Sequence, residues 1–202
     1  MFKLEFVRKY CGEKFYEINI AGLKRKLPIV NVGNGIWIAS NANLVLGDVE
    51  FINAVGKELA IKIKPYNPEI IVTPEAKSLA LAYEVARNLG HKKYIVARKS
   101  VKAYMKNYLV EEVKSITTRE PQKLVLSSDD IALIKGKRIC LLDDVVSTGG
   151  TIRALERLVV KACGNIVCRA SIWLEGPWCR DMPLIYLSIL PIFVKNLEEF
   201  RA

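Results

Sequence analysis

The residues best suited to chemistry lie in one stretch, ICLLDDVVSTGGTI, residues 139–152. A run of apolar residues typical of a buried strand ends in two adjacent carboxylates, Asp143 and Asp144. Ser, Thr and Gly residues follow at once, and a helical pattern begins at about Gly150. Free backbone N–H groups at a helix start bind phosphate, and glycines let the backbone approach it closely. The stretch therefore predicts a phosphate site beside a pair of acids.

The two acids restrict what else the ligand carries. Carboxylates beside a bound phosphate disfavour more negative charge, but they suit hydroxyl groups and a hard cation such as Mg²⁺. A phosphate at one end and a diol at the other describe a ribose 5-phosphate. The chain has no GxxxxGK[ST] motif and no complete GxGxxG motif, which argues against a P-loop ATPase and a Rossmann dinucleotide site.

Residues 139–152 resemble the signature of the type I phosphoribosyltransferases, which bind 5-phosphoribosyl 1-diphosphate (PRPP). The resemblance implies that Asp143 and Asp144 hold the ribose hydroxyls and Mg²⁺, and that they take part in catalysis. It also implies that one continuous run binds the ribose and its phosphate. That run is Asp143, Asp144, Val145, Val146, Ser147, Thr148, Gly149, Gly150 and Thr151.

Two further segments extend the resemblance. Residues 72–90, VTPEAKSLALAYEVARNLG, are similar to the strand, loop and helix that hold pyrophosphate in purine members. Residues 96–105, VARKSVKAYM, are similar to a strand end with basic residues, and cations there suit a pyrophosphate leaving group. The implied pyrophosphate site consists of Glu75, Ala76, Lys77, Arg98, Lys99 and Lys102.

The catalytic loop and the base site follow less directly. Residues 106–130 lie where the family carries a flexible loop that closes over the reacting centre. Either Glu111 or Glu112 stands for the glutamate that assists catalysis in the adenine enzymes. Trp173 and Glu175 lie at the end of a predicted strand and are candidates for binding the base, although the alternative for Trp173 is a place in the core.

Alternating strands and helices must position these residues. Strands are predicted at 70–73, 94–97, 139–142 and 166–174. Helices are predicted at 48–64 with Asp48 as the N-cap, at 75–89 ending at Gly90, and at 150–163. This order implies an α/β fold with a parallel sheet flanked by helices, in which ligands bind at the carboxyl ends of the strands. Short strands at 15–20, 27–32 and 36–39 predict a small N-terminal β hood.

Length and composition set the wider expectations. The chain of 202 residues predicts a single phosphoribosyltransferase domain, with hood-forming strands at about 1–45, a PRPP-binding core at about 46–175 and a C-terminal segment at about 176–202. No stretch approaches the length of a membrane-spanning helix, and the charged start lacks the apolar centre of a secretion signal. Five scattered Cys without paired spacing predict free thiols in the cytoplasm rather than a zinc site.

The resemblance implies a purine-salvage enzyme that transfers the phosphoribosyl group from PRPP to a purine base, releasing pyrophosphate. Adenine is the preferred base because TPEA and RKSVK look most like adenine and related purine enzymes, while hypoxanthine, guanine and xanthine stay open. The alternative is a PRPP-sensing transcription regulator, whose DNA would attract the net charge of +10. The first 45 residues read as strands rather than a helix-turn-helix, which disfavours nucleic acid as a partner. The resemblance also implies a homodimer.

Overall fold

The computed structural model describes residues 3–113, 122–198 and 200. In chain order its helices are α1 (Lys3–Phe6), α2 (Ala42–Gly47), α3 (Val49–Ile63), α4 (Leu79–Leu89), α5 (Ser128–Ile134) and α6 (Gly150–Lys161). Its strands are β1 (Val7–Lys9), β2 (Phe15–Ile20), β3 (Leu23–Gly33), β4 (Ile36–Ala39), β5 (Ile70–Pro74), β6 (Ile95–Ala97), β7 (Tyr108–Val113), β8 (Gln122–Ser127), β9 (Arg138–Val146), β10 (Asn165–Glu175), β11 (Ile185–Leu190) and β12 (Ile192–Val194). A single 3₁₀ turn, Lys64–Tyr66, follows α3.

A parallel sheet with the strand order β11-β10-β9-β5-β6 forms the core, which confirms the predicted fold class. Helices α3 and α4 pack on one face, and α6 packs on the other. Because all five strands run in the same direction, their carboxyl ends meet at one edge. The predicted phosphate, pyrophosphate and base residues therefore converge on that edge.

Strand β9 shows why the central strand reads as a continuous apolar run. Ile139 and Leu141 pack towards α6, whereas Cys140 and Leu142 pack towards α3 and α4, and all four side chains are fully buried. A strand covered on both faces has no solvent side and hence no polar alternation. The strand continues beyond the predicted end at Leu142, through both acids to Val146, because β10 pairs with it along that length.

The helices begin and end largely where capping chemistry predicts. The Asp48 carboxylate accepts the N–H of Phe51 at 2.9 Å and so caps α3, and Gly90 ends α4 with φ of 75°. Helix α4 begins at Leu79 rather than at residue 75, because residues 75–78 form a turn. That turn is the predicted pyrophosphate segment.

The hood is a second sheet with the strand order β1-β12-β4-β3-β2. The three predicted strands are present as β2, β3 and β4, and they pair antiparallel. Two further strands join them: β12 pairs antiparallel with β4 and parallel with β1. The predicted C-terminal segment thus supplies β11 to the core sheet and β12 to the hood.

The predicted flexible loop at 106–130 is largely regular in its described part. Strands β7 and β8 form an antiparallel hairpin, and α5 begins directly after it. Val113, Leu124 and Leu126 are buried in the cluster that covers α6, which explains why this segment folds against the core. The rest of the predicted loop, residues 114–121, lies outside the described residues.

None of the helices in the described ranges has the length and apolar character needed to cross a membrane. All five cysteines are free thiols, as their spacing predicted.

Candidate active site

A cavity of about 840 Å³ opens at the carboxyl ends of β9 and β10. The hood strands β3 and β4 form one wall, and the loop between β9 and α6 forms the other. Its lining residues from the core include Lys77, Asp143, the run 145–152, Glu175 and Trp178.

A second cavity of about 290 Å³ adjoins the first at the end of β5. It is lined by Glu75, Ala76, Lys77, Ser78, Lys99 and both acids, among others. Lys77, Asp143 and Thr151 border both cavities. The two spaces therefore form one elongated site, with a large compartment under the hood and a small basic compartment beside it.

Asp143 lines both compartments, and Asp144 lines the smaller one. Asp143 and Asp144 are 6% and 8% exposed. The Ser78 hydroxyl lies between them, 2.7 Å from an oxygen of Asp143 and 3.3 Å from one of Asp144, and it accepts the backbone N–H of Asp144 at 3.1 Å. The sequence interpretation missed Ser78, although the residue directly follows the predicted pyrophosphate segment.

Burial and mutual repulsion disfavour two charged carboxylates at this place, and no described Lys or Arg forms an ion pair with either acid. Burial raises the pKa of Asp143 well above its usual range, and the charge of Asp144 raises it further, while the Ser78 hydrogen bond opposes the rise. Two buried carboxylates with oxygen donors suit Mg²⁺, which binds through one or two protein carboxylates and completes its shell with water and substrate phosphate. The described residues contain no cluster of three or more ligating side chains, so such an ion would depend on the substrate.

The predicted phosphate loop, residues 147–151, follows closely after the acids. Gly149 is the N-cap of α6 with φ of 80°, and no side chain caps the first turn of this 12-residue helix. Uncapped amides at a helix start, together with the helix dipole, attract an anion. Ser147, Thr148, Gly149, Gly150 and Thr151 all line the larger cavity, so the predicted phosphate-binding run lies together as one surface.

The predicted pyrophosphate residues divide into two groups. Lys77 and Lys99 line the smaller cavity, as do Glu75 and Ala76, which are joined by a cis peptide bond. Arg98 and Lys102 do not line either cavity.

Arg98 and Lys102 instead have partners nearby. The Arg98 guanidinium forms an ion pair with Glu75 (Nε to Oε2, 3.2 Å), and Lys102 donates to the Ser100 hydroxyl at 2.7 Å. The N–H of Lys99 donates to Glu75 and, with Arg98, lowers the pKa of that carboxyl. Arg98 thus orders the turn that carries Lys77, rather than reaching into the smaller cavity itself.

The hood side of the larger cavity, where the base is expected to bind, presents several apolar residues. Val32, Ile36 and Ile38 line it from the hood, and the half-buried Trp178 lines it from the segment after β10. Glu175 also lines this cavity, and burial raises its pKa, opposed by Ser147 and Lys77. Trp178 was missed because nothing in its local sequence ties it to the hood.

Trp173, the candidate for binding the base, and Trp178, to which no role was assigned from the sequence, occupy different places. Trp173 is 4% exposed and stacks on Phe51 of α3, with ring centroids 5.8 Å apart and an interplanar angle of 17°. It therefore lies in the core, the alternative considered for it, and borders a small cavity of about 30 Å³ beside Asp144 and Glu175. Trp178 is the tryptophan in the larger cavity.

Glu111 and Glu112 do not line either cavity. The Glu111 carboxylate faces α6 and binds Arg157 and Lys161, each at 2.6 Å, and these cations lower its pKa. Glu112 points the other way and is exposed. The hairpin residues that do line both cavities are Val113 and Gln122, which flank the undescribed residues 114–121.

Comparison with known proteins agrees with this geometry. A family model described as a phosphoribosyl transferase domain matches residues 49–176. The chain is 26% identical over 143 residues to orotate phosphoribosyltransferase of Thermoanaerobacter sp. strain X514, covering 71% of this chain and 64% of that protein. It is 32% identical over 133 residues to adenine phosphoribosyltransferase of Fervidobacterium nodosum, covering 63% and 74%.

A crystal structure of adenine phosphoribosyltransferase from Thermoanaerobacter pseudethanolicus has the same fold, with a TM-score of 0.63 and 22% identity over 87% of this chain and 95% of that one. The chain spans about 64% of the length of the orotate relatives it matches. Since the family model covers more than half of the chain and includes the acidic pair and the phosphate loop, this protein belongs to the phosphoribosyltransferase family.

Proposed function

We propose that the protein transfers the 5-phosphoribosyl group from PRPP to a purine base, with adenine preferred, and releases pyrophosphate. The observation that carries the proposal is the elongated site, which has an uncapped helix start at one end and three lysines, Lys77, Lys99 and Lys123, in the adjoining compartment. Asp143 lines both compartments, and Asp144 lines the smaller one. PRPP has matching parts: a 5-phosphate, a diol and a pyrophosphate.

The 5-phosphate binds at the run from Ser147 to Thr151. Backbone amides and hydroxyls there donate to the phosphate oxygens, and the α6 dipole favours the negative charge. Binding this remote group positions the reacting carbon, since interactions away from the reaction centre supply much of the orientation an enzyme needs.

The pyrophosphate leaves from the smaller compartment. Lys77 and Lys99 line it and stabilise the charge that develops on the departing oxygens. Arg98 acts through Glu75, whose carboxylate it holds in place. Mg²⁺ bound at Asp143 and Asp144 would neutralise part of the pyrophosphate charge.

Breaking the bond to pyrophosphate leaves positive charge on the ribose ring. Asp143 and Asp144 accept the ribose hydroxyls and lie beside that charge, which their carboxylates stabilise. Ser78 fixes the orientation of both acids through its hydroxyl group. No protein nucleophile is needed, because the base itself attacks.

The apolar wall under the hood supports a neutral, planar base. Val32, Ile36 and Trp178 offer apolar and aromatic surface to a purine ring. Orotate is the second candidate because orotate phosphoribosyltransferases are among the relatives. Orotate carries a carboxylate, and Lys77 is the one cation among the described lining residues of this cavity, where Asp143 and Glu175 also lie. The balance of charge therefore favours adenine.

The proposal extends to the organisation of the protein. Hood, core and C-terminal segment work as one unit, because β12 of that segment completes the hood over the core site. The family resemblance adds a homodimer in the cytoplasm, which light scattering and fractionation would test.

A product assay tests the function directly. The protein is incubated with PRPP, Mg²⁺ and one base at a time: adenine, hypoxanthine, guanine, xanthine or orotate. We expect pyrophosphate release with the highest kcat/KM for adenine. A higher kcat/KM for orotate would replace the base assignment, and no release with any base would remove the enzyme assignment.

A further inference from the structure

The outer side of the phosphate loop carries an arginine that the function above does not use. Arg153 lies in the first turn of α6 and, with Cys179, lines a groove of about 360 Å³, whereas it does not line the larger cavity. Its Nη1 donates to the Thr148 carbonyl oxygen at 2.8 Å, and its Nη2 lies 3.9 Å from the Cys179 sulfur. The guanidinium thus contacts the loop through the Thr148 carbonyl oxygen.

The hydrogen bond to Thr148 fixes the direction of a whole peptide unit. The peptide between Thr148 and Gly149 is trans, so its carbonyl and its N–H point in opposite directions. With Arg153 holding the carbonyl, the N–H of Gly149 points to the opposite side of that peptide, and Gly149 itself lines the larger cavity. Within the described part of the chain, no hydrogen bond from that N–H to a protein group is found.

Close packing holds this arrangement in place. A Cβ atom at position 149 would lie 2.5 Å from Arg153 Nη1 and 2.7 Å from the Cys179 sulfur. The backbone of Gly149 therefore rests directly on both side chains. Cys179 is 2% exposed, and burial raises the pKa of its thiol, so it packs here as a neutral group. The glycine is required on its protein side as well as on its ligand side.

We propose that Arg153 is a positioning residue for the 5-phosphate, which it serves by directing the Gly149 N–H into the cavity. The inference rests on the proposed function, because it assumes that the 5-phosphate binds at this loop. It assigns Arg153 to the loop rather than to the ligand, since the guanidinium contacts the carbonyl side and is absent from the lining of the larger cavity.

Ligands that carry only one end of PRPP separate this role from a general effect. Ribose 5-phosphate has the 5-phosphate without the pyrophosphate, and inorganic pyrophosphate is the converse. Calorimetric Kd values for both are measured on the full chain and on Arg153→Ala, Arg153→Gln and Arg153→Lys. The control is Arg138→Ala, because Arg138 also donates to a backbone carbonyl, that of Asn67 at 2.7 Å, but at the opposite end of β9.

We expect Arg153→Ala to weaken ribose 5-phosphate binding roughly tenfold, the size of one hydrogen bond to a charged group, and to leave pyrophosphate binding within about twofold. Arg153→Gln keeps an N–H donor without the charge and should bind more tightly than Arg153→Ala. The Kd for ribose 5-phosphate should depend on salt concentration in the same way in wild type and Arg153→Gln. The control Arg138→Ala should bind both ligands with the Kd values of wild type.

Three results would overturn the inference. The first is unchanged ribose 5-phosphate binding in Arg153→Ala, and the second is equal weakening of both ligands. The third is an affinity for ribose 5-phosphate that Arg153→Lys restores and Arg153→Gln does not, together with a weaker dependence of that affinity on salt in Arg153→Gln. This combination would indicate that Arg153 contacts the phosphate directly. Absence of pyrophosphate release from PRPP, with ribose 5-phosphate binding still dependent on Arg153, would remove the proposed function alone. A wild-type protein that binds no ribose 5-phosphate would remove both.

Discussion

The proposed phosphate end and the proposed base end of the cavity are built in different ways. Acids, phosphate loop and the start of α6 come from one continuous stretch, residues 143–151, on the central strand of the core. The base end is assembled from β3 and β4 of the hood and from Trp178, about 140 residues later in the chain. The positions of side chains in one continuous stretch are set by local backbone geometry. The positions of side chains from distant segments depend instead on how the hood sheet packs against the core sheet.

The largest expected effect lies at the phosphate end. Asp143→Asn combined with Asp144→Asn removes the charge beside the ribose and should lower kcat by on the order of 10²–10³-fold. Folding should change little, because Asn keeps the size of both side chains and can still accept from Ser78. Steady-state kinetics and thermal unfolding of the same preparation measure the two effects. A double variant with normal kcat would contradict the assignment of the acids.

A pair of glycine variants tests how tightly the phosphate loop is held. Gly90 and Gly149 both have positive φ, but a Cβ at Gly90 meets nothing within 4 Å. Gly90→Ala should cost about 1 kcal/mol of unfolding free energy from backbone conformation alone. Gly149→Ala adds the collision with Arg153 and Cys179 and should also weaken ribose 5-phosphate binding by roughly tenfold or more.

Chemical denaturation and calorimetry compare these two variants with wild type. If Gly90→Ala and Gly149→Ala lose the same unfolding free energy and bind ribose 5-phosphate equally well, the packing of Gly149 on Arg153 and Cys179 contributes neither to stability nor to binding.

A smaller effect is expected at the base end. Trp178→Ala removes an aromatic wall and should raise the KM for the base about three- to tenfold, while the KM for PRPP stays unchanged. Trp37→Phe is the control in the hood, because Trp37 faces away from the cavity and stacks on Tyr10 with centroids 4.4 Å apart. Initial rates at varied base and PRPP separate the two constants. A change in the PRPP constant alone would place Trp178 at the other end of the ligand.

The smallest effect concerns the attachment of the hood to the core. Arg25 of β3 binds Asp48 at 2.8 Å and Glu50 at 2.7 Å, at the start of α3. The hydrogen bond from Arg25 lowers the pKa of Asp48, and the Phe51 N–H lowers it further. Asp48→Asn keeps an N-cap acceptor but loses the charge, and it should lower the thermal midpoint at pH 7 by about 2 °C.

The pH dependence of that difference has a definite sign. Because the folded pKa of Asp48 lies below the unfolded value of about 3.9, its stabilisation is complete above that pH and disappears as the pH falls through the folded pKa. Unfolding curves of wild type and Asp48→Asn should therefore converge on acidification below about pH 4. Curves that diverge further would contradict the role of Asp48 as the partner of Arg25.

The same contrast explains what the sequence allowed us to predict. Asp143, Asp144 and the loop to Thr151 are adjacent in the chain, so residue types and order were enough to locate them. Ser78 and Arg153 were missed because their contacts with Asp143 and Thr148 arise only when a turn or a helix settles against the loop. Trp173 lies on the face of β10 that packs against α3, where it stacks on Phe51, and the sequence alone did not indicate that contact.

The hairpin of β7 and β8 shows a different error. The family resemblance implied a flexible loop here, but Leu124 and Leu126 of β8 pair with residues of β7 and pack on α6, where they are fully or almost fully buried. Strand pairing between two short segments supplied the order that local propensity did not indicate.

The strand β12 has a consequence for the timing of folding. In the hood sheet it lies between β1 and β4, so its partners Val7 and Ile38 are synthesised long before Ile192. Pairings between such distant segments close slowly, and during synthesis they must wait until the late segment leaves the ribosome. All residues from Asp143 to Thr151 have left by then, whereas the hood still lacks the inner strand that joins β1 to β4. The nascent chain can therefore form a phosphate loop before it can form a complete wall for the base.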